Sequence, residues 1–288
     1  MSSLIQKLQS SATRIETPCG DGTLVWHVWD ETPGGGDPLV LLHGGSGSWT
    51  HWLRNIQPLV DAGRRVIAPD LPGFGDSALP PGGDDADAMP APLEAGLSQI
   101  AGDAAVDLVG FSFGGMVAGL WMAMKPSRVK RLVVVGAPAM GVVSSRQVDL
   151  RGWRHLDDPA ARDAIHRHNL AALMVKDPAT IDDDALTLHR TNVVRDRLPR
   201  RRLAFTRVLA DALAHADCPV HAIYGEHDAI YTGRHPQLAA AFALSTPYFV
   251  QMHWVPDAGH WVQYEKPGAV DALLAQILEK KPQPEGRA

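Results

Sequence analysis

The sequence predicts an α/β fold with a mostly parallel central sheet, flanked by helices and interrupted by one helical insertion. Three observations predict it. Short apolar runs bounded by turn residues recur at 39–42, 66–68, 106–109, 132–135 and 220–224, and runs of that length suit strands covered on both faces. Helical periodicity separates several of them, at 52–62, 93–101 and 113–124. Strand alternating with helix implies parallel pairing through right-handed crossovers. One long stretch, 141–211, breaks the alternation and falls between two of the core strands.

In chain order, the opening MSSLIQKLQSSATR has no long apolar run or cleavage-like site and does not read as a leader. Residues 23–29 are rich in β-branched and aromatic types and read as an edge strand, followed by a GGGDP turn. The strand LVLL runs into the glycine-rich turn His43-Gly44-Gly45-Ser46-Gly47. Residues 78–92, dense in Pro, Gly and Asp, read as a surface loop. The strand at 132–135 ends in Gly136-Ala137-Pro138, which offers no acidic side chain. A further apolar run ends at Val255, a final helix is expected over 269–278, and the KKPQPEGRA tail is expected to fray. The organisation that follows is a core at 1–140 and 212–288 with the insertion at 141–211.

Composition narrows the function. The chain has 288 residues, enough for one α/β domain with an insertion. Its net charge of −5 argues against non-specific nucleic-acid binding, which needs clustered positive charge. No stretch reaches the roughly 18 apolar residues of a membrane-spanning helix, so no membrane partner is expected. Two cysteines, Cys19 and Cys218, make neither a disulfide framework nor a zinc pattern. They read as reduced thiols, and the expected location is the cytoplasm. The insertion holds 13 of the 27 Lys/Arg and 10 of the 32 Asp/Glu, leaving it near +3 against a core near −8. An insertion of this size reads as a lid, because ligands bind where such segments emerge, at the carboxyl ends of parallel strands. A structural subdomain with a solvated charged face is the plainer alternative.

The chemistry centres on Gly110-Phe111-Ser112-Phe113-Gly114, placed after a strand and before a helix. A sharp strained turn at that junction pushes the serine hydroxyl into the open, with a helix N-terminus facing developing negative charge. A serine hydroxyl needs a base. Of 13 histidines, His260 in DAGHWVQYEKP is the candidate, on a loop able to swing over the strand ends. His43 is expected to brace its glycine-rich turn, and His253 to point outward from its strand. The base needs an orienting acid, and Asp228 in YGEHDAIY lies just past a strand, between Ser112 and His260 in sequence. Asp257, its rival, is expected to cap a turn. The amides of Gly45 and Phe113 are the expected oxyanion donors, with Gly44, Ser46 and Phe111 beside them at the substrate. Trp49, Trp52, Trp153 and Trp261 flank these motifs. Trp153 and Trp261 are expected to line the pocket, Trp261 foremost because it follows His260.

These motifs, in this order, resemble the α/β-hydrolase family over almost the whole chain, and APDLPGFGDS at 68–77 matches the family's post-strand loop. The resemblance implies a sheet of about eight strands, an acyl-enzyme or related intermediate, a small-molecule substrate, and no cofactor or metal. A serine nucleophile sets the chain apart from the epoxide hydrolase and haloalkane dehalogenase branches. HGGSG, RNIQPLVDAG and GHWVQYEKP are similar to motifs of the meta-cleavage-product hydrolases, which cut a carbon–carbon bond. In that branch an arginine on the lid holds the substrate's acidic end, and Arg190 falls at a similar place. A solvated arginine near Asp182–Asp184 is the competing reading. The branch usually has asparagine before the nucleophile, where this chain has Phe111, and an HGGGPG loop where this chain has HGGSGS. Asparagine can hydrogen-bond a keto group and phenylalanine cannot. The expected reaction is therefore hydrolysis of a small carboxylic ester, with carbon–carbon hydrolysis of vinylogous diketones as the alternative. A third reading, a non-catalytic ligand receptor on the same fold, is disfavoured by the intact triad. A homo-oligomer is compatible with the sequence.

Overall fold

The computed structural model describes residues 3–30, 36–145, 148–198 and 200–279. The expected fraying tail and the first two glycines of the GGGDP turn lie outside the described residues. The chain opens with helix α1 (Ser3–Ser11), then strands β1 (Thr13–Cys19), β2 (Gly22–Trp29) and β3 (Pro38–Leu42). Helix α2 (Ile56–Asp61), β4 (Arg65–Pro69), α3 (Pro90–Ala101), β5 (Val106–Phe111), α4 (Phe113–Met124) and β6 (Val129–Val135) follow. The insertion contains α5 (Pro159–Asn169), a π-helical turn (Leu170–Met174) and α6 (Asp183–Val194). After it come α7 (Val208–Leu213), β7 (Val220–Gly225), α8 (His235–Ser245), β8 (Phe249–Val255), α9 (Val262–Glu265) and α10 (Pro267–Glu279).

The strands form one eight-stranded sheet in the order β1-β2-β4-β3-β5-β6-β7-β8. Only β2 runs against the rest. Successive side chains on a strand point to opposite faces, so Leu39 and Leu41 join one core while Val40 and Leu42 join the other. One face packs against α3, α4, α7 and α8 through residues such as Leu97, Trp121, Leu209 and Phe242. The opposite face packs against α1, α2 and α10 through Leu8, Leu59 and Leu274. Coverage on both sides is why the central strands read as unbroken apolar runs. It also leaves the carboxyl ends of β5, β7 and β8 as the places where polar side chains can converge.

Four elements differ from the sequence expectation. Residues 23–29 belong to β2, which is not at the edge, because β1 pairs along its outer side from Thr13↔Val28 to Cys19↔Gly22. β1 reads TRIETPC and is mostly exposed, so it carries no apolar run to betray it. The helix expected over 52–62 is split into a 3-10 turn (Trp49–Trp52) and α2. Pro58 explains the break: in a helix begun at residue 52 it would lack an interior N–H, whereas in the first turn of α2 none is required. α3 starts at Pro90, in the proline-favoured first position, and Ala86 and Met89 are fully buried, so 78–92 is not wholly surface. Finally, α7 packs on α4 as part of the core layer, although most of it falls within 141–211. Cys19 and Cys218 are buried and unbridged. Among the described residues no helix is long and apolar enough to cross a membrane.

At the end of β5 away from Ser112, Asp107 is 1% exposed and accepts from Arg131 Nε at 2.8 Å and from Arg64. Removing the acid takes from two largely buried arginines the nearest counter-charge each has here. Asp107→Asn should therefore lower the unfolding free energy by about 3 kcal/mol or more, read as a drop in the urea midpoint. An unchanged midpoint would show that the two arginines are solvated well enough to need no partner.

Candidate active site

β5 delivers the chain to Ser112 at its carboxyl end, and α4 begins at the next residue. Ser112 has φ +51° and ψ −116°, a conformation that L-residues avoid. The turn persists because its surroundings fix it. The Ser112 N–H donates to Val135 O at 2.7 Å, and Ser112 O accepts from Gly115 N at 3.0 Å. Gly110 and Gly114 have no room for a side chain: a Cβ on the first would collide with the Gly114 carbonyl, and one on the second with the His43 carbonyl. Close packing of β3, β5 and α4 thus requires the glycines of the motif.

β7 and β8 bring in the partners. Asp228, just past β7, is 0% exposed, and His260, past β8, is 2% exposed. His260 Nδ1 lies 2.8 Å from Asp228 Oδ2, and His260 Nε2 lies 2.9 Å from Ser112 Oγ. Asp228 Oδ1 accepts from Ile230 N at 2.9 Å. A carboxylate facing Nδ1 places the ring proton there and leaves Nε2 free to accept from the serine hydroxyl. The arrangement can pass a proton from Oγ to the imidazole while Asp228 holds the ring. Asp257 is elsewhere, exposed and ion-paired with Lys176 Nζ at 2.8 Å. His253 lies against His221, away from the site.

The 43–47 turn follows β3. His43 Nε2 accepts from Leu71 N at 2.8 Å, so its Nδ1 carries the proton and donates to Gly44 O at 2.7 Å, bracing the turn as expected. His51, which no sequence motif singles out, braces the same turn from its other side, where its Nδ1 accepts from Gly44 N at 3.1 Å. Gly45 lies beside Phe113, whose Cβ would be 3.6 Å from a Cβ on that glycine. Phe113 is the first residue of α4, where N–H groups have no intrahelical acceptor. These two amides can serve a developing anion near Ser112.

Ser112 and His260 open onto a cavity of about 770 Å³. Gly44, Gly45, Ser46, Phe113 and Trp153 are on its walls. Phe111 closes the floor with a fully buried ring, 5.1 Å from the His260 ring. Two expectations fail. Trp261 is 1% exposed and turned away from the cavity; it stacks on Tyr264 at 4.1 Å and donates to His51 O at 3.0 Å. Arg190 points outward from α6 and pairs with Asp163 of α5 at 3.1 Å, so the competing reading of a solvated arginine is the right one. Among the described residues three other arginines line the cavity, Arg151, Arg154 and Arg201, and Arg201 is the one beside the turn of Gly45. It packs over Gly45, pairs with Asp196 at 2.7 Å, and reaches Ser46 Oγ at 3.3 Å, while Ser46 donates to Asp196. Three consecutive arginines stand at 200–202, and nothing local distinguishes the middle one. Trp49 and Trp52 are core residues, the latter donating to Leu42 O at 3.2 Å.

Known proteins share this architecture. A family profile described as "Alpha/beta hydrolase family" matches residues 39–273. The chain is 32% identical over 265 residues to the dihydrolipoyllysine-residue acetyltransferase component of the acetoin cleaving system of Pseudomonas putida, a match covering 88% of this chain and 66% of that protein. It is 26% identical over 282 residues to 2-hydroxy-6-oxo-6-phenylhexa-2,4-dienoate hydrolase of Burkholderia cepacia, covering 94% of this chain and 97% of that one. Among solved structures, the esterase RhEst1 from Rhodococcus sp. ECU1013 superposes with a TM-score of 0.74 at 26% identity, covering 93% of this chain and 99% of the esterase.

Three buried histidines, His43, His51 and His189, share an electrostatic trait. Burial lowers the pKa of His43 and of the adjacent His51, the latter well below its ordinary value. Burial, with a smaller contribution from His166, lowers His189 on the cavity wall to about 4. Unfolded, each would take up a proton near pH 6.5. Between the folded and unfolded values the unfolded chain binds more protons, so acid shifts the balance toward unfolding. Asp271, raised by burial to about 6, works in the opposite direction. The His189 contribution is isolated by comparing wild type with His189→Gln in urea unfolding at several pH values. Stability of the wild type should fall more steeply than that of the variant as pH drops from about 6.5 to 4. Parallel curves would mean that His189 protonates freely in the folded protein.

Proposed function

The chain belongs to the α/β-hydrolase family, and from that premise we propose that it hydrolyses small carboxylic esters with Ser112 as the nucleophile. The observation that carries this reading is the hydrogen-bonded series Asp228–His260–Ser112, with contacts of 2.8 Å and 2.9 Å, opening onto a closed-floored cavity. Ser112 Oγ attacks the ester carbonyl as its proton passes to His260 Nε2. The carbonyl oxygen becomes an anion received by the amides of Gly45 and Phe113. Collapse breaks the carbon–oxygen bond, and His260 returns the proton to the leaving alcohol. Water then attacks the acyl-serine, gives its proton to His260, and releases the carboxylic acid as Ser112 regains its hydrogen. Asp228 fixes the tautomer throughout and stabilises the imidazolium. The insertion supplies a wall of the cavity, including Trp153 and His189, and acts in this reading as the lid.

Phe111 favours esters over carbon–carbon substrates, because its buried ring gives a keto group no hydrogen bond. The likeness to a Rhodococcus esterase along nearly all of both chains supports the same choice. One observation favours the second reading, carbon–carbon hydrolysis. Arg201, though paired with Asp196, places a guanidinium in the cavity beside Gly45; its remaining N–H donors could hold a substrate carboxylate, and the Burkholderia relative is named for a dienoate substrate.

Ser112→Ala should cost on the order of 10⁴-fold or more in turnover and abolish the single phosphonate adduct expected by mass spectrometry on the wild type. Labelling that persists in the variant would remove Ser112 from the mechanism. Asp228→Asn should cost roughly 10⁴-fold by favouring the wrong tautomer, and a loss below about tenfold would remove Asp228 from its role.

Substrate charge is read with two arginine variants and two esters, one neutral and one with a carboxylate near the scissile bond. Arg201→Ala should lower kcat/KM for the acidic ester by roughly 30-fold, about 2 kcal/mol, and affect the neutral ester far less. Arg190→Ala should leave both near wild type. Equal losses on both esters with Arg201→Ala would make Arg201 a packing residue and withdraw the support for an acidic substrate.

A further inference from the structure

The loop that carries His260 is fastened to the insertion, and one side chain does most of the fastening. Glu265, on the one-turn helix α9, is 9% exposed. Its Oε2 accepts from Gly259 N at 2.7 Å and Lys176 N at 3.1 Å, and its Oε1 accepts from Lys176 N at 3.0 Å and Asp177 N at 2.8 Å. One carboxylate therefore gathers the N–H of the residue before His260 and two successive N–H groups of the insertion. On the other side of His260, Trp261 N donates to Met174 O at 2.6 Å, the last residue of the π-helical turn. The two segments are also in direct contact. A Cβ on Gly259 would lie 2.6 Å from Lys176 N and 2.7 Å from the Val175 carbonyl carbon, so the backbones touch with no side chain between them.

We infer that Glu265 is a positioning residue for His260, and that residues 174–177 of the insertion are a fixed part of the active site. His260 needs its ring held between an acid at 2.8 Å and a hydroxyl at 2.9 Å. Both of its chain neighbours are tied by backbone hydrogen bonds, one to Glu265 and one to the insertion. Glu265 is not in contact with the His260 ring and takes no proton in the reaction. It acts by fixing the backbone from which the ring projects. This role rests on the assignment of His260 as the base.

Glu265→Gln tests it, because the amide keeps one acceptor and turns a donor toward N–H groups that are themselves donors. Tyr264→Phe is the comparison. It removes the hydrogen bond from Tyr264 to Asp182, a second tie between α9 and the insertion, without touching Gly259. Four quantities are measured: kcat, KM, the rate of phosphonate labelling at Ser112, and the low-field proton resonance of His260 Nδ1–H. Glu265→Gln should lower kcat and the labelling rate by roughly 10- to 100-fold, leave KM within about twofold, and shift or broaden the low-field resonance. Tyr264→Phe should keep the labelling rate and the resonance of the wild type even where its melting temperature falls. Glu265→Asp, with both oxygens one methylene short, serves where the amide variant does not fold, with the same changes expected. A Glu265 variant with wild-type kcat and resonance and only a lower melting temperature overturns the inference. So does an equal loss of labelling in the Tyr264 and Glu265 variants. The resonance reports the His260–Asp228 contact without turnover, so failure of the ester reading and failure of this inference are separable.

Discussion

A carboxylate with no access to water needs donors at fixed positions, and the Asp228–His260 contact is where this requirement governs the molecule. Asp228 is 0% exposed, and its side chain is satisfied by the Ile230 amide and the His260 ring. The Ile230 amide is local, two residues along the chain, but the His260 ring reaches the carboxylate only through the sheet. Asp228 sits just past β7, His260 past the neighbouring β8, and Ser112 past β5 at the centre. Parallel strands end at the same edge, so three residues more than 30 positions apart meet there. Burial does the rest. It raises the energetic penalty of any alternative partner for the carboxylate and keeps the imidazole in one tautomer.

Much of this is legible in the sequence because the signals are local. The motif around Ser112 states its own context, a strand before and a helix after, and its glycines are required by contacts with near neighbours. Asp228 follows β7, which is buried along its whole length, whereas His260 follows the half-exposed edge strand β8 and is legible from its own motif. The sequence misleads where the deciding contact is distant. Arg190 and Arg201 are alike as residues, and Arg190 is turned away because Asp163 on α5 stands opposite it. Trp261 neighbours His260 in sequence, yet its indole is claimed by His51 O, 210 positions earlier. β1 is silent for the opposite reason: with one face open it lacks the apolar run that marks the interior strands. Glu265 looks like any acidic residue in a short helix until Lys176 and Asp177 are placed against it.

The insertion is attached to the core at several separate points. Asp182, at the start of α6, receives the Tyr264 hydroxyl at 2.6 Å and pairs with Arg54 at 2.6 Å. Within α6, Asn192 donates to Thr50 Oγ1 at 3.2 Å, and beyond the helix Arg195 pairs with Asp76 while Asp196 accepts from Ser46. α6 is therefore pinned at both ends to loops of the strand edge. Among the described residues, the stretch around Trp153 on the cavity wall is tied instead to other parts of the insertion, Arg151 to Asn169 and Arg154 to Val193 O. Anchoring is thus divided within a single insertion, part of it to the core and part internal.

The crowding around Gly110 and Gly114 also bears on how this enzyme could be altered by directed evolution. Backbone carbonyls already occupy the space that a first side-chain carbon would need, so substitutions at those positions fail by collision whatever residue is chosen. A library that samples them spends most of its members on chains that cannot close the turn. Leu150, Trp153 and Leu173 line the same cavity from the insertion, where a change of side-chain volume reshapes the space offered to the substrate and leaves the strand edge untouched. Diversity placed there explores new substrate shapes while every variant keeps the serine turn it started with.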